Sequence, residues 1–197
     1  PAASEEAQIA AAAAVETLQT LDVDIIVALS HAGVGETGTE GEDEAIAAAV
    51  EGIDVIVSGH SHTALEEQIM VGDTIIVQAG ALTQYLGELT VVRDDAGDWS
   101  VDAYTLHELD DTIPGDPAAM EMIDGFVSAL DAGPLASLGT SFSEPIFEIS
   151  HDIGMNACQE SGLGNFVTDA FRYTFNQYAT DVPIVAAFES QGVIRDN

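Results

Sequence analysis

The sequence predicts an α/β protein, and three observations lead to this prediction. Two apolar runs, residues 23–31 and 53–62, are typical of parallel strands that are buried on both faces of a sheet. A helical segment precedes each run, at residues 4–20 and 43–51, so that helix and strand alternate. Hydrophobic residues make up 47% of the 197-residue chain, which is typical of a globular domain and not of an acidic disordered chain.

Capping and turn signals define the other elements of the first half. Ser4 is the predicted N-cap of the first helix, with Glu5 and Glu6 in its first turn. Three further strands are predicted from β-branched and aromatic residues, with a polar turn between the last two. The strands cover residues 74–79, 86–93 and 100–109, and the turn covers residues 94–98.

The second half begins at a predicted boundary in residues 110–117. Asp116 and Pro117 form an N-cap and first-turn pair, and the helix that follows is predicted to end at Gly133 and Pro134. A second helix with a wide apolar stripe is predicted at residues 161–179, and this stripe requires a packing partner. Residues 182–188 are predicted to form a last strand.

The charge balance excludes some classes of function. The chain carries 35 acidic residues against three basic ones, and its formal net charge is −32. Binding to a nucleic-acid polymer through a basic surface is excluded, because there is no lysine to neutralise phosphates. The sequence contains no run of 18 apolar residues, so it predicts no membrane span.

The acidity also bears on the environment of the protein. Screening at molar salt removes most of the repulsion among so many like charges, which favours a high-salt environment. Calcium binding is the alternative, but the acidic residues do not form a calcium-loop motif.

Three of the five histidines follow predicted strands. His31 ends the first apolar run, and His60 and His62 end the second. Side chains at the carboxyl ends of neighbouring parallel strands converge on one crevice. Imidazole nitrogen is a suitable ligand for Zn, Mn, Fe or Ni, so the pattern predicts a metal site. The alternative is that these histidines are exposed to solvent or held by ordinary hydrogen bonds.

Several motifs carry a resemblance to a known family. The stretches VDIIVALSH, GIDVIVSGHSHT and IIVQAGALTQYLGELTVV resemble the second half of a calcineurin-like metallophosphatase domain. The stretches ESGLGNFVTDAFR and VPIVAAFESQGVIRDN resemble the start of the C-terminal domain of the 5′-nucleotidases and related 2′,3′-cyclic phosphodiesterases. The resemblance implies half of a metallophosphatase β-sandwich flanked by helices in residues 1–112. It implies a linker helix in residues 113–133 and the start of an α+β domain in residues 134–197.

The resemblance also implies a dinuclear metal site and a substrate. His31 and His60 would ligate one divalent ion, Zn, Mn or similar, and His62 would ligate a second. Paired metals activate a water and stabilise the charged oxygens during attack on phosphorus. Arg195 matches an arginine that the family uses on the substrate phosphate, and Gly192 lies in the same stretch. The implied substrate is a nucleotide or another phosphate ester, and the implied location is extracellular or at the cell surface.

The chain departs from the family pattern in ways that keep other functions open. Residues 190–195 read SQGVIR where the family has N-S-G-G-I-R, and the D-x-H and G-N-H-E motifs of the family's first half are absent. We therefore expect a partial chain of a haloarchaeal type, inactive by itself, that carries part of the site. A non-catalytic metal-binding module, a degenerate remnant and a homologue related to sulfur-oxidation proteins are the alternatives. The oligomeric state stays open.

Overall fold

The computed structural model describes five parts of the chain: residues 4–35, 41–150, 153–154, 159–178 and 181–189. The chain divides into two units, Pro1–Gly115 and Asp116–Asn197. Within the described residues no helix has both the length and the apolar character needed to cross a membrane.

The first unit contains a four-stranded sheet, a two-stranded hairpin and two helices. Its elements in chain order are α1 (Glu5–Gln19), β1 (Val27–Leu29), α2 (Glu42–Ala49), β2 (Val55–Val57), β3 (Ile69–Val71), β4 (Thr74–Val77), β5 (Tyr85–Arg93) and β6 (Trp99–Glu108). The sheet has the order β1-β2-β4-β3, in which β1, β2 and β4 are parallel and β3 is antiparallel to β4. Strands β5 and β6 form a separate antiparallel pair. The alternation of helix and strand agrees with the sequence, whereas strand β3 was missed.

The sheet separates two hydrophobic clusters, because alternate side chains of a strand point to opposite faces. Ile56 and Ile76 face the helices and pack in one cluster with Val15 of α1 and Ala47 of α2. On the opposite face, Val55, Ile75 and Val77 form the second cluster. The hairpin residues Leu89, Val91, Val101 and Tyr104 pack against this second cluster. The first unit therefore has three layers: helices, sheet and hairpin.

Strand β1 is less buried than the sequence predicts. Val27 is 46% exposed and Leu29 is 85% exposed, although the apolar run indicated burial on both faces. Strand β1 lies at the edge of the described sheet, and the cluster under the hairpin includes neither Val27 nor Leu29. Ile26 and Ala28 do pack in the cluster on the helical side. The prediction of a strand parallel to β2 is confirmed, and the prediction of burial on both faces is wrong.

The predicted cap and turn of the first unit are both confirmed. The Ser4 hydroxyl accepts a hydrogen bond from the Ala7 amide at 3.2 Å, at the start of α1. Between β5 and β6, the Asp94 carboxyl group accepts hydrogen bonds from three amides, those of residues 96, 97 and 98, at 2.8, 2.9 and 3.0 Å. The bond from the Asp98 amide, followed by the other two, lowers the pKa of Asp94.

The second unit begins with a helix that starts as predicted and ends later than predicted. Asp116 accepts hydrogen bonds from the amides of residues 118 and 119, both at 2.9 Å, and caps α3 (Pro117–Leu130). The helix does not stop at Gly133 and Pro134. It passes through a π-helical turn (Asp131–Leu135) into the short helix α4 (Ala136–Leu138), and Gly139 ends it with φ +70°. A wider turn tolerates a proline that has no amide hydrogen to donate.

Helix α5 (Gly162–Tyr178) forms as predicted, but the strand expected after it does not. Residues 182–188 have no strand pairing. The backbone amide of Ile184 donates to Asn176 Oδ1 at 2.8 Å, and its carbonyl accepts from Asn176 Nδ2 at 2.9 Å. A side-chain amide thus takes both bonds that a neighbouring strand would supply. The apolar stripe of α5 also stays open, since Phe166 is 49% and Phe175 is 58% exposed.

Candidate functional site

His31 and His60 lie together at the carboxyl edge of the sheet. The parallel register pairs Leu29 of β1 with Val57 of β2, and the two histidines follow these strand ends. The centroids of their imidazole rings are 5.3 Å apart, and the ring planes meet at 73°. Both residues are exposed to solvent. Both imidazole rings are therefore accessible to solvent at this edge.

The backbone between the second strand and His62 has an unusual shape that permits this approach. A Cβ atom on Gly59 would lie 2.9 Å from Nδ1 of His31, so any other residue there would displace the ring from this position. His60 and His62 have φ values of 70° and 57°, in the left-handed region that non-glycine residues seldom adopt. Such backbone conformations persist where surrounding contacts hold them, and they are common at functional sites.

The structure shows a ring contact between two of the three predicted histidine ligands. His62 is exposed, and the ring contact at this edge connects His31 with His60 only. Across the described ranges, no group of three His, Cys, Asp or Glu side chains is arranged to hold a metal ion. The predicted substrate residues Arg195 and Gly192 lie outside the described residues. A dinuclear centre accordingly stays a prediction.

A buried aspartate connects the two strand ends behind the histidines. Asp43, in the first turn of α2, is 0% exposed. Its carboxyl group accepts a hydrogen bond of 2.5 Å from the Ser30 hydroxyl and another of 2.5 Å from the Ser58 hydroxyl. The amide of Gly33 donates a third bond at 3.2 Å. A single side chain from α2 therefore contacts the carboxyl ends of both β1 and β2.

Gln78 organises the loop that carries His60 and His62. It follows β4 and is 2% exposed. Its Nε2 donates to the Ser61 hydroxyl at 2.9 Å, and its Oε1 accepts from the Thr63 amide at 3.1 Å. The Ser61 hydroxyl also accepts a bond of 3.2 Å from the Val34 amide, which links this loop to the segment after β1.

Tyr104 closes the hairpin side of the same edge. Its hydroxyl donates to the backbone carbonyl of Gln78 at 3.2 Å. Burial raises the pKa of the Tyr104 phenol, and the hydrogen bond to the Gln78 backbone only partly opposes this rise. The phenol therefore stays neutral at pH 7.

His107 lies apart from this arrangement. Its Nε2 is 2.7 Å from Glu88 Oε2, across the exposed surface of the hairpin. Nothing in its surroundings resembles the histidine pair, since its partner is one exposed carboxyl group. The fifth histidine, His151, lies outside the described residues.

A cleft of about 690 Å³ opens at the opposite, amino-terminal end of the sheet. Its walls include Asp54, Asp73, Asp98 and Trp99. It contains no histidine and no arginine, so it lacks both the metal ligands and the phosphate-binding groups that the sequence predicts. We therefore place the candidate site at the histidine edge and not in this cleft.

Sequence reasoning missed both Asp43 and Gln78, and only Gln78 left a signal in the sequence. Gln78 is a polar residue at the end of the apolar stretch TIIV, where a buried polar side chain needs a specific partner. The sequence does not distinguish Asp43 from the other acidic residues, because Glu42 and Glu44 flank it and the chain contains 35 acidic residues. Only the structure shows that the Asp43 carboxyl group is fully buried.

Comparisons with known proteins agree with this fold. No family model matches the chain. The chain is 28% identical over 158 residues to the trifunctional nucleotide phosphoesterase protein YfkN of Bacillus subtilis, which covers 75% of this chain and 10% of that protein. It is 30% identical over 176 residues to the 5′-nucleotidase of Bos taurus, covering 79% of this chain and 29% of that protein. The solved structure of a 5′-nucleotidase precursor from Thermus thermophilus aligns with a TM-score of 0.61 at 27% identity.

Over most of its own length, the chain is therefore similar to 5′-nucleotidases and to a nucleotide phosphoesterase. The Thermus alignment covers 87% of this chain and confirms the predicted mixed α/β fold class. The chain spans only part of these proteins: 10% and 29% of the two relatives and 35% of the solved structure.

Proposed function

We propose that this chain supplies part of the active site of a metal-dependent phosphoester hydrolase of the 5′-nucleotidase type. The observation that supports the proposal most directly is the contact between His31 and His60 at the carboxyl edge of the sheet. Family similarity supplies the reaction class, hydrolysis of a nucleotide or another phosphate ester. The proposed cofactors are two divalent ions, Zn, Mn or similar.

The histidine pair fits a metal ion chemically. Zinc binds imidazole nitrogen at roughly 2.0–2.1 Å, and two rings with centroids 5.3 Å apart are close enough to reach one ion. Both rings are exposed, so an ion can enter without unfolding the edge. When bound, a divalent ion supplies Lewis-acid chemistry at the phosphoryl group.

The other residues have separate proposed roles. His62, on the same loop, would ligate the second ion with residues that this chain does not contain. Arg195 would bind the substrate phosphate, because guanidinium forms paired, charge-assisted hydrogen bonds with phosphate oxygens. Gly192 would allow the backbone of that segment to approach the substrate. We also propose that residues 1–112, 113–133 and 134–197 are a metallophosphatase half, a linker and the start of a second domain.

The net charge of −32 supports a proposal about environment. Strong like-charge repulsion in a folded protein is tolerated where salt screens it. We propose a high-salt medium on this ground, and an extracellular or cell-surface location on the similarity to 5′-nucleotidases, which include snake venom enzymes.

Metal binding by the chain tests the proposed site. We expect Zn²⁺ or Mn²⁺ to bind to the chain in equilibrium dialysis at molar salt. His31→Ala or His60→Ala should weaken binding by at least about tenfold, because each removes one ligand. His107→Ala is the matched control, since it removes an exposed histidine of the same unit that pairs with Glu88. Equal binding by all three variants would contradict the proposal.

Turnover separates the enzyme from its alternative, a non-catalytic metal-binding module. That alternative is favoured by the lack of a three-residue ligand group in the described part of the chain. The assay uses the polypeptide or assembly that completes the site, with nucleotide monophosphates and released phosphate as the readout. Phosphate release that depends on metal and on His60 supports the enzyme, and stoichiometric metal binding with no release supports the binding module.

A further inference from the structure

Asp43 is placed to control how the two histidines meet. Its carboxyl oxygens each accept one serine hydroxyl, Oδ1 from Ser30 and Oδ2 from Ser58. Ser30 immediately precedes His31, and Ser58 stands two residues before His60. We propose that Asp43 is a positioning residue, which holds the His31 and His60 rings in contact by tying the ends of β1 and β2 together. The effect of this positioning role on metal binding rests on the function proposed above.

The backbone ladder cannot do this alone, because it ends before the histidines. The last ladder-like bonds at this edge run from the Ser30 amide to the Val57 carbonyl and from the Ser58 amide to the Val77 carbonyl, at 2.9 and 2.8 Å. Beyond them, the chain leaves the sheet in both segments. The next contacts that hold the two segments are therefore the hydroxyls of Ser30 and Ser58, which both donate to Asp43.

Burial makes this link specific. Asp43 is 0% exposed, so water does not compete for its carboxyl oxygens. Three donors reach it, and the third, the Gly33 amide at 3.2 Å, belongs to the segment just after His31. A buried polar group whose partners are all present holds one arrangement, and removing the partners is costly. Hydrogen bonds that orient metal ligands from behind are known to affect metal affinity by about 10–100-fold.

The chain offers a matched control at the other end of the same two strands. The Asp54 carboxyl group accepts a hydrogen bond of 2.6 Å from the Ile26 amide. It too links the β1 and β2 segments through a partly buried bond, but at their amino ends. Asp54→Asn therefore tests the general effect of losing a carboxyl group between these strands.

The decisive measurement needs no metal. In metal-free wild-type chain labelled with ¹⁵N and ¹³C, we expect a nuclear Overhauser contact between ring protons of His31 and His60. Asp43→Asn replaces one acceptor oxygen by a donating amide, so one of the two serines can no longer donate to this side chain and its present hydrogen bond is lost. This variant should lose the ring contact, whereas Asp54→Asn should keep it. Absence of the contact in wild type, or the same response in both variants, would overturn the inference.

A second variant covers the case in which Asp43→Asn does not fold. Of the three bonds to Asp43, Ser58→Ala removes only the tie to β2 and leaves those from Ser30 and Gly33, so the ring contact should weaken while the unit stays folded by circular dichroism. The other bonds of the Ser58 hydroxyl, with Gln78 Nε2 and the Gly59 carbonyl, are long, at 3.5 Å. An unchanged contact in Ser58→Ala would overturn the inference.

Metal titration then separates this inference from the function on which it rests. We expect Zn²⁺ affinity to fall about 10–100-fold in Asp43→Asn and to stay at the wild-type value in Asp54→Asn. If wild type shows the ring contact but binds no metal, the proposed metal function fails and the positioning role stands. If wild type binds metal and both variants bind it equally, the positioning role fails and the metal site stands.

Discussion

The two ends of the four-stranded sheet are built from different interactions. At the carboxyl end, the polar groups of Asp43 and Gln78 are buried and bonded to serines, threonine and backbone amides. At the amino end, the bonds that Asp54 and Thr74 make are accompanied by links that reach the surface. There Arg93 pairs with Asp24 at 3.3 Å, and the Trp99 indole donates to the Asp24 carbonyl at 3.2 Å.

This difference indicates where the molecule requires a single arrangement. Buried polar groups are costly unless every partner is in place, so they select one geometry for the segments that they join. Exposed pairs can exchange with water at little cost. The buried polar contacts of Asp43 and Gln78 hold the carboxyl end, which carries His31 and His60, although the cleft lies at the amino end.

The largest effect that distinguishes the two ends is expected for Gln78→Leu. The change leaves the Thr63 amide and the Ser61 hydroxyl without their buried partner, which costs about 1–3 kcal/mol of unfolding free energy. Urea unfolding at fixed salt measures the loss, and hydrogen exchange at Thr63 should become faster. Gln84→Leu is the control, because Gln84 is exposed. Equal losses in the two variants would contradict a special role for the buried network.

A smaller effect is expected for Tyr104→Phe. This variant loses one hydrogen bond, to the Gln78 carbonyl, which costs about 0.5–1.5 kcal/mol near neutral pH. Tyr85→Phe is the control, since no hydrogen-bond partner of its hydroxyl is found in the described part of the chain.

The same tyrosine predicts a pH dependence. Burial raises the pKa of Tyr104 in the folded chain. The contribution of the neutral phenol to the free energy of unfolding is therefore complete below the pKa of the unfolded chain, about 10. The contribution is lost as pH rises from there through the folded pKa, since the unfolded state ionises first. Wild type should therefore lose stability in this range relative to Tyr104→Phe. Parallel unfolding curves for the two proteins above pH 10 would contradict the raised pKa.

Much of the fold could be predicted from local patterns. The caps at Ser4 and Asp116 and the turn at Asp94 depend on residues within a few positions, and all three formed as expected. The predictions that failed depend on distant partners. Burial of Leu29 required a neighbour beyond the edge of β1, and a strand at residues 182–188 required a strand beside it.

The candidate site shows the same limit. Two neighbouring parallel strands were enough to predict that His31 and His60 converge. Asp43 could not be identified in this way, because its role depends on which of many acidic side chains the fold encloses. The position of His62 depends on a left-handed backbone, which no helix or strand period encodes.

The smallest effect is expected at the amino end, for Arg93→Gln, and salt decides its size. The side chains of Arg93 and Asp24 are 46% and 87% exposed, so their ion pair contributes less than about 1 kcal/mol at low salt. At 1 M salt the screening length falls to roughly 3 Å, and the contribution of the charges should vanish. Urea unfolding at about 0.1 and 1 M salt measures both values. The cost of Gln78→Leu should be nearly the same at the two salt concentrations, because its lost bonds join uncharged groups. A cost of Arg93→Gln that persists at high salt would mean that its other contacts, to the Gly97 carbonyl at 3.0 Å and the Trp99 ring at 5.7 Å, stabilise this end independently of charge.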